Sequence, residues 1–285
     1  VDQLETQLEA CAFTPCGSQD ISRFGWVKPL GKFGSTLTHS ASSHILLCAR
    51  KEEKMLPGTV VKEMLAEKVE AIEFEQGRAL KKKEKEALKE EIMHTLLPRA
   101  FSRTSQTFAW ISPTDNLMVV DAGSAKKADD LLALLRKSIG TLPVVPVALK
   151  NPPEITMTEW LNEGNLPASF TLEDEAELRS AMEHGGIIRC KQQDLMSEEI
   201  KNHLANDKLV TKLALNWGET LSFVLGDDLS IKRLKFSEEL REQNDDVTSE
   251  DPAARLDADF ALVTAELAQF IPALFAALGG EEQSI

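Results

Sequence analysis

Apolar residues recur along this chain with two periods, and the period changes where turn residues cluster. Val1–Ala10 reads as the end of an amphipathic helix, with Leu4 and Leu8 one turn apart. A stretch punctuated by Gly, Pro and Ser follows through Gly34 and carries Phe24 and Trp26. Ile45–Ala49 is a short apolar run of the kind found in buried strands. Pro57-Gly58 opens a helix with Val61, Leu65, Val69 and Ile72 on one face. Gly77 interrupts it, and helical spacing resumes from Arg78 to about Leu97. Thr104–Ile111 and Leu117–Asp121 alternate like strands around the turn Ser112-Pro113-Thr114-Asp115-Asn116. Gly123-Ser124 starts a helix with Leu131, Leu134 and Leu135 inward, ending near Gly140.

In the second half, Val144–Val147 reads as a strand and Pro152-Pro153 as a linker. Short helices are predicted near 156–162 and 173–183, then a strand at Ile187–Cys190 and a helix at Ser197–Ala205. Leu209–Trp217, Thr220–Leu225 and Ser230–Phe236 predict a three-strand meander with a turn at Gly226-Asp227-Asp228. The last helix carries Leu256, Phe260, Val263, Leu267, Phe270 and Leu274 at spacings of four and three. That is a heptad-like seam, which Pro272 is expected to kink. No internal repeat or low-complexity tract appears. The pattern predicts an α+β fold with mixed sheets and long helices, organised as segments 1–56, 57–150, 151–245 and 246–285.

Length and composition narrow the class. With 285 residues and 42% hydrophobic content, the chain can bury a sizeable core and is not wholesale disordered. Four cysteines are too few to staple it, which points to a reducing, cytosolic compartment. No apolar run approaches the ~20 residues that a membrane span needs. The opening Val1 reads as a truncated or partly ordered N-terminus rather than a signal peptide.

Charge alters the picture more. Lys and Arg number 32 against 46 Asp and Glu, a net of -14, which taken alone argues against nucleic acid. The charges are divided, however. Residues 50–150 hold 18 cations and 15 acids, whereas 237–285 hold two Arg against twelve acids. An average over a divided chain says little about its most basic surface.

Catalytic motifs are missing: there is no Walker A loop, no Rossmann glycine fingerprint, no H-E-x-x-H and no nucleophile elbow. Cys11, Cys16, His39 and His44 reach a Cys2His2 count, but the gap between the pairs is longer than in a zinc finger. They read instead as unrelated core cysteines and loop histidines, so no metal and no cofactor is expected. The strongest signal is basic. On a continuous helix, Arg78, Lys81, Lys82, Lys85 and Lys89 share a sector of about 100° over roughly 16 Å. Either they form a solvated helix face or they contact a polyanion. Pro98-Arg99-Ala100-Phe101-Ser102-Arg103, if extended, points Arg99, Phe101 and Arg103 the same way. Such a group suits phosphates and a stacked base, or equally a protein interface. Lys126 and Lys127 follow Ser124 at a helix start, where they bind an anion or pair with Asp129 or Asp130. Lys191, Lys212, Arg233 and Lys235 add basic strand positions, with Arg189 and Lys232 near them.

Ordered runs of residues also resemble a family. Phe13-Thr14-Pro15-Cys16-Gly17-Ser18-Gln19-Asp20 with Gly25-Trp26-Val27, and Cys48-Ala49-Arg50-Lys51-Glu52-Glu53-Lys54, are similar to the recombination-associated RdgC family. So are Leu96-Leu97-Pro98-Arg99-Ala100-Phe101-Ser102-Arg103, Ser124-Ala125-Lys126-Lys127-Ala128 and Leu142-Pro143-Val144-Val145-Pro146. Asp174-Glu175-Ala176-Glu177-Leu178, Lys212-Leu213-Ala214-Leu215, Lys232-Arg233-Leu234-Lys235-Phe236 and Asp257-Ala258-Asp259-Phe260 extend the resemblance over nearly the whole chain. It implies a non-enzymatic, nucleoid-associated cytoplasmic protein that binds DNA without sequence preference and limits RecA-dependent recombination. It implies an elongated, curved subunit closing into a ring-shaped homodimer around duplex DNA, with single-stranded DNA a secondary partner and no membrane. The cations named above would line the hole, and Phe101, Phe260 and Leu267 would close the dimer. The family's extreme N-terminus, with an opening strand, has no counterpart here, so one sheet is expected to lack an edge strand. At Lys191-Gln192 the second position holds Gln where the family pattern can carry a basic residue. The competing expectation is an acidic protein-interaction regulator acting through 237–285. A third is an enzyme for a phosphorylated small molecule, with the Ser124 helix start as its cradle.

Overall fold

Two antiparallel sheets organise the chain in the computed structural model, which describes residues 2–182, 185–243 and 251–282. They belong to two compact units, Val1–Pro143 and Val144–Ile285. The predicted α+β class holds.

The first unit runs α1 (Asp2–Glu9), β1 (Ser22–Val27), β2 (Thr38–Ala41), β3 (His44–Lys54), α2 (Gly58–Gln76), α3 (Lys82–Leu96), β4 (Ser102–Ser112), β5 (Leu117–Asp121) and α4 (Ala125–Ile139). Its sheet order is β1-β3-β4-β5, and β2 pairs with the first part of β3 while β1 pairs with the second. β1 falls in the stretch read as punctuated loop, and β2 follows it. Phe24 and Trp26 do alternate there, but Gly25 between them hides the strand. That glycine is needed: a Cβ would stand 2.6 Å from the Phe13 Cα. The approach is close because Trp26 N–H donates to the Cys11 carbonyl at 3.0 Å and Phe13 N–H to the Trp26 carbonyl at 2.8 Å. Leu8 of α1 and Leu131, Leu134 and Leu135 of α4 pack with Trp26, Leu47, Ala49 and Ala109 of the sheet. The buried indole donates to Ser138 Oγ at 2.9 Å, which satisfies its polar atom. α2 ends at Gly77, whose φ of 63° caps it in the left-handed conformation.

The second unit runs α5 (Pro153–Glu163), β6 (Phe170–Ser180), β7 (Ile187–Lys191), α6 (Glu198–Ala205), β8 (Lys208–Trp217), β9 (Leu221–Gly226), β10 (Ile231–Phe236), α7 (Glu238–Glu242) and α8 (Pro252–Ala277). The sheet order β10-β9-β8-β6-β7 contains the predicted meander. Two expectations fail. Val144–Val147 forms no strand, because Pro143 and Pro146 cannot donate to a ladder. The helix predicted at 173–183 is strand through Ser180. Ala176 and Leu178 are buried between the charged Glu175, Glu177 and Arg179, and this period of two overrides the helix propensity of an Ala/Glu/Leu-rich run. The boundary placed between 245 and 246 lies outside the described residues.

α8 closes this core. Phe270 meets Phe223 edge-on at 4.8 Å and Trp217 at 5.5 Å. The helix starts on Asp251, whose carboxylate accepts from Ala253 N–H at 2.9 Å, and it runs unbroken through Pro272. Ala253–Ala277 is also long and apolar enough to cross a membrane by length and composition, its most apolar 18-residue window having a mean hydropathy of 1.7. The expectation that no segment approaches a span is therefore corrected. Its apolarity is put to use along one side, where Phe260, Leu267, Phe270, Leu274 and Leu278 are buried.

Candidate nucleic-acid interface

The basic helical stripe does not survive as predicted. α3 begins at Lys82, so Arg78 and Lys81 precede it and are off its face. The start is set by Glu84, which accepts from Lys81 N–H at 2.8 Å and holds the Arg78 guanidinium through two bonds of 2.6 and 3.0 Å. The Arg78 fork, then the Lys81 amide, hold the Glu84 carboxyl down to about 2. Lys85 pairs across to Glu73 of α2 at 3.3 Å, and Lys68 of α2 pairs back to Glu91 at 2.8 Å. Of the run, Lys85 ties α3 to α2, while Arg78 and Lys82 pair with Glu84 and Glu86 of α3 itself. Lys82 and Lys89 remain exposed on one side of α3.

A second cluster forms where β3, β4 and α4 meet. Arg103 stands opposite Glu53 in the β3–β4 ladder. The Glu53 carboxyl lies below its usual range, held first by the Lys51 ammonium at 2.7 Å and further by Arg103 and Lys126. Arg103 and Lys126, far apart in sequence, thus both act on the charge of one acid. Ser124 caps α4, its side chain accepting from Lys127 N–H at 3.4 Å, and the first turn contains no acid. Among the described residues no ion pair joins Lys126 or Lys127 to Asp129 or Asp130. Arg99 ends a 3-10 turn, Leu97–Arg99, so the simple alternation predicted for Arg99, Phe101 and Arg103 does not hold. Phe101 is 81% exposed, and its carbonyl accepts from Met55 N–H at 2.7 Å.

The third cluster is decided by strand register. Residues directly opposite one another share a face of the sheet. Lys191 lies opposite Glu175, Arg189 opposite Glu177, and Glu177 opposite Lys212. Lys212, Ala214 and Asn216 in turn oppose Gly226, Val224 and Ser222, away from the Phe223 side that α8 covers. On β10, Lys232 opposes Val224 and Lys235 opposes Ser222. Lys232 and Lys235 are three residues apart and would split between faces in a regular strand. A bulge between them, with Arg233 at φ 53°, restores both to the same side. Arg233 reaches Glu175 at 2.9 Å. Lys191, Lys212, Arg233 and Lys235, each weak in the sequence, are brought together. Gln192 follows β7 at φ 53°, so it leaves the ladder.

Sequence reasoning missed the acid at the centre. Glu177 is 5% exposed and ionised among three cations: Arg189 Nε at 2.8 Å, Lys212 Nζ at 2.9 Å and Arg179 at 3.7 Å. The Arg189 bond and then the Lys212 bond lower its carboxyl from 4.5 to about 2. The alternation of Glu175, Glu177 and Arg179 with Ala176 and Leu178 was the available signal. Because the folded chain holds this proton less readily than the unfolded one, the stabilisation is complete above about pH 4.5 and lost as pH falls toward 2. Allowing for the exposure of Arg189 and Lys212, the loss is on the order of 2 kcal/mol. Urea titrations should find wild type losing that much more than Glu177→Gln over this interval.

Other predicted sites are redistributed. Phe260 and Leu267, expected at a dimer interface, are 8% and 5% exposed within the chain itself. They lie on the same side of α8 as Phe270, whose ring meets Phe223 and Trp217 of the sheet. Cys16 N–H donates to the Glu52 carboxylate at 2.9 Å, eight strand positions or about 26 Å from His44 along β3. These two cannot share a zinc ion. Burial pushes the Cys48 thiol up to about 12. Among the described residues no group of three or more His, Cys, Asp or Glu is placed to hold a metal.

Comparison with known proteins agrees with the sequence resemblance. A family model described as "Putative exonuclease, RdgC" matches residues 1–281. The "Recombination-associated protein RdgC" of Aeromonas hydrophila is 97% identical over 285 residues, covering 100% of this chain and 94% of that protein. The proteins of the same name from Tolumonas auensis and Psychromonas ingrahamii are 70% identical over 281 residues and 62% over 282. Each alignment covers 99% of this chain and 93% of the relative.

Proposed function

Because the chain belongs to the RdgC family, we propose that it binds duplex DNA without sequence preference, as a dimeric ring, and so limits RecA-dependent recombination. The observation that carries this reading is the register of the second sheet, which gathers Lys191, Lys212 and Lys235 with Arg189 and Lys232 on one face, where Arg233 also reaches Glu175. That face offers ammonium and guanidinium groups suited to phosphates. Its paired positions carry no aromatic side chain on which a base could stack, which favours backbone contact with duplex over single strands. The Arg99, Arg103, Lys126 and Lys127 cluster supplies a second phosphate surface, and Lys82 and Lys89 a third.

A net charge of -14 is compatible with this if the cations face inward and the acids outward. Phe101, exposed between Arg99 and Arg103, is the anchor we assign to dimer closure. A closed ring around DNA obstructs a recombinase filament by occupancy alone, within the nucleoid of the cytoplasm. No chemistry, cofactor or metal enters this reading. Its test is duplex binding against salt, combined with sedimentation mass. Log affinity should fall linearly with log salt, equally for unrelated sequences. The mass should be that of two chains, dropping to one in Phe101→Ala. Flat salt dependence, strong sequence preference or a monomeric wild type would each refute it.

The family description favours one further reading, an exonuclease. A two-metal nuclease needs carboxylates converging on ions ~3.5–4 Å apart. Incubating end-labelled duplex with protein and Mg²⁺ or Mn²⁺ separates the two: shortened strands would establish the nuclease, and intact strands the binding protein. An acidic interaction regulator would instead leave duplex unbound near physiological salt.

A further inference from the structure

Among the described residues, Glu177 is the one acid buried in the middle of the basic face, and the phosphate-binding reading gives it no task. Its Oε2 accepts from both Arg189 Nε at 2.8 Å and Lys212 Nζ at 2.9 Å. Thr211 Oγ1 donates to its carbonyl at 3.2 Å and anchors the β6–β8 crossing beneath. A buried carboxylate is tolerated only when its partners stay in place. Those partners are 68% and 39% exposed, so they are the same groups an incoming phosphate would engage. Arg189 binds through Nε, which leaves its two terminal amino groups for another acceptor. By contrast, Glu175 is 29% exposed and holds the single guanidinium of Arg233.

We propose that Glu177 is a positioning residue of this face, a resident carboxylate that occupies Arg189 and Lys212 in the free protein. Phosphates must compete with it or share its cations, and it thereby keeps duplex binding loose and reversible. The inference rests on the reading of this sheet face as a DNA contact. A group that only tied β6, β7 and β8 together would stabilise the sheet and leave the salt dependence of binding untouched.

The experiment measures fluorescence anisotropy of a short labelled duplex with full-length protein across a salt series. Glu177→Gln is expected to bind about fivefold more tightly near 150 mM salt, with a log–log slope steeper by about one for each copy of the face in contact. In a background of Arg189→Gln with Lys212→Gln the same change should give no gain. Equal or weaker binding by a folded Glu177→Gln protein overturns the proposal, as does a gain that survives in that background. Should Glu177→Gln not fold, carbon-13 NMR of the wild-type Glu177 carboxyl replaces it. The resonance should move as duplex is added, and an unmoved resonance alongside shifting Lys212 and Arg189 signals overturns the proposal alone. If duplex moves none of the three, the assignment of this face to DNA fails and the proposal falls with it.

Discussion

A variant with Arg99, Arg103, Lys126 and Lys127 all changed to alanine is expected to lose roughly 10²–10³-fold in duplex affinity near 150 mM salt. Four phosphate neutralisations contribute about 3–4 to the log–log salt slope, and that slope converts to this factor at this ionic strength. The loss should be the same for unrelated sequences, because cations on phosphates carry no base information. Folding should survive. Lys51 still pairs with Glu53 at 2.7 Å, and Ser124 still caps α4. The four exposed side chains contribute nothing to the Leu8–Trp26–Leu135 core. A filter-binding titration with an unchanged slope would remove this cluster from the DNA surface.

The largest stability effect is expected from Phe270→Ala, at about 3–5 kcal/mol. The ring is fully buried and contacts Trp217 and Phe223 edge-on, so truncation loses both ring contacts and leaves a cavity between α8 and the sheet. The neighbours cannot readily collapse into it: Phe223 is already held by Phe170 at 6.5 Å, and Leu274 is buried one turn on. A urea midpoint that moves by less than ~1 kcal/mol equivalent would mean that α8 does not seal this core.

The meander, the β4–β5 hairpin and α4 were legible because apolar alternation or a 3.6-residue period ran uninterrupted between turn residues. The basic stripe and the helix read at 173–183 were both misread because a local pattern was followed where only the fold decides. The stripe from Arg78 to Lys89 assumed one helix, whereas Glu84 caps a helix that starts four residues later. The run 173–183 has helix-forming composition, but a strand on either side supplies its hydrogen bonds. Phe260 and Leu267 have the spacing of a helix partner seam, and periodicity does not say whether the covering surface belongs to the same chain. The basic face of the second sheet could not be assembled from sequence at all. It depends on which strands neighbour each other and on one bulge at Arg233.

The position of α8 also sets an order of events during synthesis. Every element of the first unit has left the ribosome by the time Pro143 emerges, and that unit can fold as the chain grows. The second sheet has no such freedom. Its last strand ends at Phe236, yet the ring contacts of Phe223 and Trp217 with α8 wait for Phe270, more than thirty residues later. During that delay a nascent chain presents an aromatic surface followed by its most apolar helix, and this is the window in which a chaperone is most needed.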